Sequence, residues 1–210
     1  MVVYGVDQSL TGFGHCVLTD GEITQIGTVG VGDKVGMERL EILQTMFETT
    51  IAKCRPDLIV IEDYAFGAST NTITQLAELG GILKWTAHKM AYLFGWDRSV
   101  AGFKSLVTQT QSQMKKFCLG NGSAKKDSRY LLTVMEKINK SFSNDNEADA
   151  YMHAWMATIV HAVKTGKTQV GDLPAFQQEV LISQVVKSKK ISITKALKLS
   201  DEEKMKLIAA

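Results

Sequence analysis

The chain has 210 residues, 45% of them hydrophobic and 22% charged, which is a globular balance sufficient for one sizeable domain and an appendage. Its net charge of +2 excludes a strongly polyanionic or polycationic character overall. Cys16, Cys54 and Cys118 are too few and too scattered for a disulfide framework or a zinc site, and they read as small neutral residues of a reducing compartment. No apolar run approaches the ~20 residues that span a bilayer, and the N-terminus has no signal-peptide pattern, so a cytoplasmic chain away from the membrane is expected.

Residues 2–6 form a short apolar strand. Phe13 to Leu18 predicts a second strand, the Asp20-Gly21 pair a hairpin turn, and Ile23 to Val29 a third strand, together an antiparallel meander. From Met37 to Lys53 the residues Leu40, Leu43, Met46, Phe47 and Ile51 recur at helical spacing, and Pro56-Asp57 ends that helix. Leu58 to Ile61 is apolar on both faces, as a central parallel strand would be. Residues 70–94 predict a long helix, and Lys104 to Leu119 a segment helical near its end. Ser123 is a candidate N-cap for a helix running to about Ile138. Ser141 to Asn146 is a polar loop, and Glu147 to Val163 a strongly apolar helix. Residues 166–210 are short amphipathic pieces, with a capping box at Ser200 to Glu203 opening a last helix. This order predicts an α/β fold with a mixed sheet flanked by helices.

Three acids fall at informative places. Asp7 ends the first strand, Glu62 ends the fourth, and Asp149 lies in the first turn of the apolar helix. Neighbouring strand ends lie ~5 Å apart, so Asp7 and Glu62 converge if strands one and four pair. Taken singly, each acid is equally a turn residue or a helix cap. Gathered together they repel, unless a hard divalent cation such as Mg²⁺ joins carboxylate and water oxygens there. Two such ions suit in-line displacement at a phosphodiester. No Ser-His-Asp or Cys-His pattern competes. Residues 113–140 carry Lys115, Lys116, Lys125, Lys126, Arg129, Lys137 and Lys140 against Asp127 and Glu136, which suits either a polyanionic partner or a solvated helix face.

Four blocks resemble the RuvC-like Holliday junction resolvases of the ribonuclease H superfamily. They are Gly5 to Gly14, Ile59 to Asp63, Lys115 with Gly120 to Lys126, and Asn144 to Tyr151, in order across residues 2–164. The resemblance implies a ribonuclease-H-like mixed five-stranded sheet, with a nuclease domain over 1–165 and a helical, lysine-rich extension over 166–210. It implies that Asp7, Glu62 and Asp149 are catalytic and bind Mg²⁺, with Mn²⁺ able to substitute. It further implies basic residues at Lys115 and Lys126 beside the scissile phosphate, Lys126 stabilising the transition state. Lys116 and Lys125 join them as DNA-steering candidates. The implied function is metal-dependent hydrolysis of four-way junctions and other branched DNA by a homodimer, leaving 5′-phosphate and 3′-hydroxyl ends.

Two departures stand out. Gln8 replaces a usual Pro. Asn146 occupies the fourth metal position, usually Asp or His, so the set is completed by Asn146 through its carbonyl, or by Asp145 or Glu147. Asp145 is favoured because it should precede the helix. Tyr64 and Phe66 either stack on an unpaired base or cover the core. His153, one turn beyond Asp149, is either a proton shuttle or outer ligand, or a core histidine. Trp85, Trp96 and Trp155 are expected to pack, and Asn71 and Gln75 stay undecided. Lys187, Lys189, Lys190, Lys195 and Lys198 of the tail suit junction arms, a dimer partner or plain surface. The alternatives are a binder of branched DNA without strict resolving activity, an actin- or sugar-kinase-like ATPase (for which the chain is short), and a nuclease of RNA–DNA hybrids.

Overall fold

The computed structural model describes residues 1–63, 70–94, 106–189 and 192–209. Strands β1 (Val2–Asp7), β2 (Gly12–Thr19) and β3 (Glu22–Gly30) form the antiparallel meander, and β4 (Leu58–Glu62) and β5 (Leu106–Gln109) extend it in parallel. The order β3-β2-β1-β4-β5 puts β1 and β4 at the middle, side by side. The expected mixed five-stranded sheet is therefore present.

Side chains alternate across these strands, so each face builds its own core. Tyr4, Val6, Phe13, Ile59 and Ile61 face α1 (Gly36–Cys54) and α2 (Thr70–Leu93), meeting Leu43, Phe47, Leu79 and Leu83. Val3, Cys16, Leu18 and Val60 face the other way. That face carries α3 (Gln111–Leu119), α4 (Tyr130–Ile138) and α5 (Asp145–Lys164), and beyond them α6 (Ala175–Lys189), α7 (Ile193–Leu197) and α8 (Asp201–Ala209). Val180, Ile182, Ala196 and Ile208 of the last three helices belong to the same buried cluster as Val3 and Met152. The tail thus packs onto the body through its apolar residues. At α8 the Ser200 box forms, with Ser200 N donating to Glu203 Oε2 at 2.9 Å.

Three element boundaries differ from expectation. Residues 106–109 form β5 and lie ahead of the helical part of 104–119, because Leu-Val-Thr suits a strand and Thr110 caps α3 by accepting from Gln113 N. The helix ending at Ile138 begins at Tyr130, seven residues after Ser123. Asp127 delays it, its side chain accepting from Arg129 N at 2.9 Å in a turn that competes with helix. Finally, α5 starts at Asp145 with Asn144 as its cap, so Asp145 sits in the first turn and does not precede the helix. Asn144 Oδ1 accepts from Glu147 N at 3.0 Å while Glu147 Oε2 accepts from Ser143 N at 2.9 Å, a reciprocal cap.

Helix α5 lies directly on the strand backbone. A Cβ on Gly5 would stand 2.3 Å from the Ala150 carbonyl oxygen and 2.7 Å from Ala154 N, and one on Gly14 would stand 2.2 Å from the Asn146 carbonyl oxygen. Two glycines on adjacent strands therefore bracket the turn of α5 that carries Asp149. Replacement of Gly5 by Ala forces this helix outward and is expected to destabilise the fold by about 3 kcal/mol. Gly30, with nothing within 4 Å of its built Cβ, is the control, and Gly30→Ala should stay within ~0.5 kcal/mol. Urea denaturation of both variants checks the pair; equal stabilities would show that the close approach is not needed.

Candidate active site

The register Val6↔Ile61 between parallel β1 and β4 sets Asp7 beside Glu62 at the carboxyl ends of the two central strands. Both are buried, and so is Asp149, which α5 delivers from above. Gln8 Nε2 donates to the Glu62 carbonyl at 2.8 Å and ties the two strand ends together. Opposing the acids is Lys126, whose Nζ lies 2.7 Å from Asp149 Oδ2, 3.6 Å from Asp145 Oδ2 and 3.8 Å from Asp7 Oδ2. Its side chain is 31% exposed, so one end of this charge cluster meets solvent. Asp7, Glu62, Lys126 and Asn146 line an open cleft of about 370 Å³ together with Thr11 and Gln111.

Asp149 is the most heavily held acid. Beside Lys126, it accepts from the Tyr130 hydroxyl and, at 3.4 Å, from Gln111 Nε2. Burial pushes its pKa up while Lys126 pulls it down. Glu62 has no such cation of its own. Burial first, then the hydrogen bond and charge of Asp7, push its pKa from 4.5 to about 10. Glu62 therefore holds a proton at neutral pH in the metal-free chain, which lowers the negative charge that Lys126 and the buried Lys115 have to balance. Lys126 is held above its ordinary value by Asp7, Asp149 and Asp145 against the opposing effect of burial.

The donors offered to an ion are oxygens throughout, the chemistry of a hard divalent cation. Asp7 Oδ2 is buried without a hydrogen-bond partner, an orphan that such an ion would satisfy. Among the described residues no three acids, cysteines or histidines are already gathered at ligand spacing, because the acids stand around the Lys126 ammonium. Asp145 and Asn146 stand at the mouth. The Asn146 side chain lies against Gly12, where a Cβ would come within 2.5 Å of its Nδ2.

Other candidates are placed differently. Lys115 is 4% exposed and turned inward, its Nζ donating to the Ala124 carbonyl at 2.8 Å. Lys116 pairs with Glu179 of α6, whereas Lys125 is exposed. His153 is buried with Nδ1 3.1 Å from Gln109 Oε1. Burial draws its pKa down to about 4, so it is a neutral core imidazole beneath the acids, with Nε2 lacking a partner. Gln75 meets Arg39 and Asn71. Trp155 packs edge-on to Phe117, but Trp85 is 65% exposed, contrary to expectation, because it points off the outer face of α2. Tyr64, Phe66, Trp96 and Lys190 lie outside the described residues, as do the side chains of Lys187 and Lys189, while Lys195 and Lys198 sit on and just after α7. Sequence reasoning missed Tyr130, Gln109 and Gln111. Only Tyr130 carried a signal, as an aromatic at the polar start of an amphipathic helix.

The Glu62 proton has a measurable consequence. The folded chain keeps a proton that the unfolded chain loses above its ordinary pKa of 4.5, so metal-free stability falls as pH rises toward about 10. Between pH 7 and 8, His15 and His153 are neutral in the folded chain and the raised thiols still protonated there, while the fraction of each histidine protonated in the unfolded chain, about a quarter at pH 7, offsets only part of the Glu62 effect. In chelator, unfolding free energy should drop by about 1 kcal/mol over that unit, and Glu62→Gln should flatten the slope. A wild-type profile already flat there would mean Glu62 is ionised.

No family model matches the chain. The crossover junction endodeoxyribonuclease RuvC of Bdellovibrio bacteriovorus is 28% identical over 164 residues, covering 74% of this chain and 90% of that protein. Thermus thermophilus RuvC superposes with a TM-score of 0.58 at 19% identity, covering 79% of this chain and 97% of the other. The same protein in complex with a Holliday junction substrate gives a TM-score of 0.53 at 20% identity, over 76% and 96% of the two chains. With its mixed sheet in the order β3-β2-β1-β4-β5, the chain has the ribonuclease-H-like fold of RuvC and is similar in sequence to a RuvC over most of its length.

Proposed function

We propose that this chain is a metal-dependent endonuclease of branched DNA that resolves four-way junctions. The observation that carries this reading is the burial of Asp7 beside Glu62 at the ends of the two central strands, with Asp149 of α5 joined to Asp7 through the Lys126 ammonium. The similarity to a crossover junction endodeoxyribonuclease, and the likeness in fold to a RuvC bound to a Holliday junction, support the substrate class.

The reaction is hydrolysis: a water oxygen bonds to phosphorus, the bond to the 3′ oxygen breaks, and that oxygen leaves with a proton. Bound Mg²⁺, or Mn²⁺ in its place, supplies Lewis acidity at the phosphate and a more acidic attacking water. Asp7, Glu62 and Asp149 would hold it, with Asp145 and Asn146 at the open side. Lys126, partly in solvent at the same cleft, is the group placed to stabilise charge growing on the phosphate oxygens. Tyr130 and Gln111 hold the buried Asp149 carboxylate beside Lys126. Lys125, exposed one residue before Lys126, steers DNA.

Paired nicks need two sites, so a homodimer belongs to this reading. Trp85 and Leu93 of α2 and Met37 of α1 expose apolar surface suited to a second copy. Among the described residues no helix is long and apolar enough to cross a membrane, and action on cytoplasmic DNA accords with that.

Labelled four-way junction, fork, flap, duplex and RNA–DNA hybrid, incubated with Mg²⁺, Mn²⁺ or chelator, form the decisive panel. Paired symmetric nicks at the junction, lost in chelator, are expected. Cutting of the hybrid alone would refute the assignment. Asp7→Asn should abolish cleavage yet keep junction binding, and Lys126→Ala should lower kcat by about 10²–10³-fold. Loss of binding together with cleavage in Asp7→Asn would make Asp7 structural.

A further inference from the structure

Of the two lysines expected beside the scissile phosphate, Lys115 is the one the fold hides. Lys115, on α3, lies beneath the loop from Gly120 to Lys126 with its ammonium directed at two partners. One is the Ala124 carbonyl at 2.8 Å, two residues before Lys126. The other is the face of the Tyr130 ring, whose centroid is 4.7 Å from Nζ. Tyr130 is itself buried and donates its hydroxyl to Asp149 Oδ1, while Lys126 reaches Asp149 Oδ2 at 2.7 Å. The contacts close a ring: Lys115 holds the loop that carries Lys126 and the aromatic that orients Asp149, and those two groups then meet.

The loop is seated on α3 in a second way. A Cβ on Gly122 would stand 2.8 Å from the Ser112 carbonyl oxygen and 3.4 Å from the Lys116 Cβ, so the backbone there rests on the helix. A lysine 4% exposed under such a loop has no open path for a DNA phosphate. Its ammonium contacts a carbonyl and a ring face, where a desolvated cation holds well, and the charges of Asp149, Glu62 and Asp7 also act on it.

We propose that Lys115 is a positioning residue, which sets Lys126 through the Ala124 carbonyl and Asp149 through Tyr130, and which makes no contact with DNA. The kinetic part of this inference rests on the nuclease reading; the structural part does not.

The test uses Lys115→Met, Tyr130→Phe and the double variant in the full chain. Junction affinity is measured against salt concentration in chelator. For Lys115→Met, Kd and the salt slope should match wild type, whereas loss of a phosphate contact would reduce the slope by about 0.9. In Mg²⁺, kcat should fall by about 10²-fold with KM unchanged. The double variant should lose less than the product of the two single losses, because the route to Asp149 is shared while the route to Lys126 belongs to Lys115 alone. Amide exchange across residues 122–126 should quicken by at least ~tenfold in Lys115→Met, a readout that needs no nuclease activity. A reduced salt slope, multiplying kcat losses, or unchanged exchange would each overturn the proposal. If Lys115→Met fails to fold, Tyr130→Phe decides alone, and an unchanged kcat there overturns the route through Asp149. A wild-type protein that cuts no branched DNA would sink the nuclease reading, with the exchange measurement still judging the role of Lys115.

Discussion

Three carboxylates cannot share a buried corner of a protein without compensation, and around Asp7, Glu62 and Asp149 that compensation takes two forms. One ammonium, Lys126, sits nearest Asp149 and within 4 Å of Asp7. One proton stays on Glu62, whose pKa burial and Asp7 raise to about 10. Each is a stand-in for positive charge. A site that gathers acids at the ends of its central strands, with an orphaned Asp7 oxygen, is suited to take up a divalent cation and release that proton.

The rest of the architecture keeps the acids in this unfavourable proximity. The strands carry Asp7 and Glu62 rigidly, because parallel pairing fixes their register and Gln8 clamps the two ends. Asp149 depends on packing. Gly5 and Gly14 let α5 lie on bare backbone, and the Asn144–Glu147 cap fixes where that helix begins. Thr28 also donates to Asn144 Oδ1 at 2.9 Å, which ties the helix start to β3. The cap residue thus serves both helix and sheet, and a shift of the helix start would move Asp149 with it.

The second layer below the acids is polar but not titrating. His153 is neutral because burial outweighs the pull of Asp7, and its contact with Gln109 links α5 to the strand next to Glu62. Lys115 plays a comparable part beneath the loop of Lys126. The two form a frame in which buried polar groups fix the orientation of groups that meet solvent. The C-terminal helices extend that frame: Gln177 of α6 donates to the Phe117 carbonyl of α3 at 3.1 Å, and Lys116 pairs with Glu179.

Much of this was legible before any coordinates. Apolar alternation and turn residues marked the meander, and the unbroken Leu58–Ile61 run marked a central parallel strand, because strand patterns are local and repeat every two residues. Asp7 and Glu62 followed from those strands, since a strand end is a position in space as soon as pairing is known. What only the tertiary structure decided was direction and burial. Lys115 and Lys126 look alike in sequence, yet one is closed under a loop and the other opens to the cleft, because Gly122 rests on α3 and Asp127 turns the chain before α4 begins. Tyr130, Gln109 and Gln111 became part of the site only through contacts with residues 19 to 44 positions away, which no local pattern encodes. Sequence sets periodicity and termini by short-range sterics and solvation; which lysine opens to the cleft is set by long-range packing.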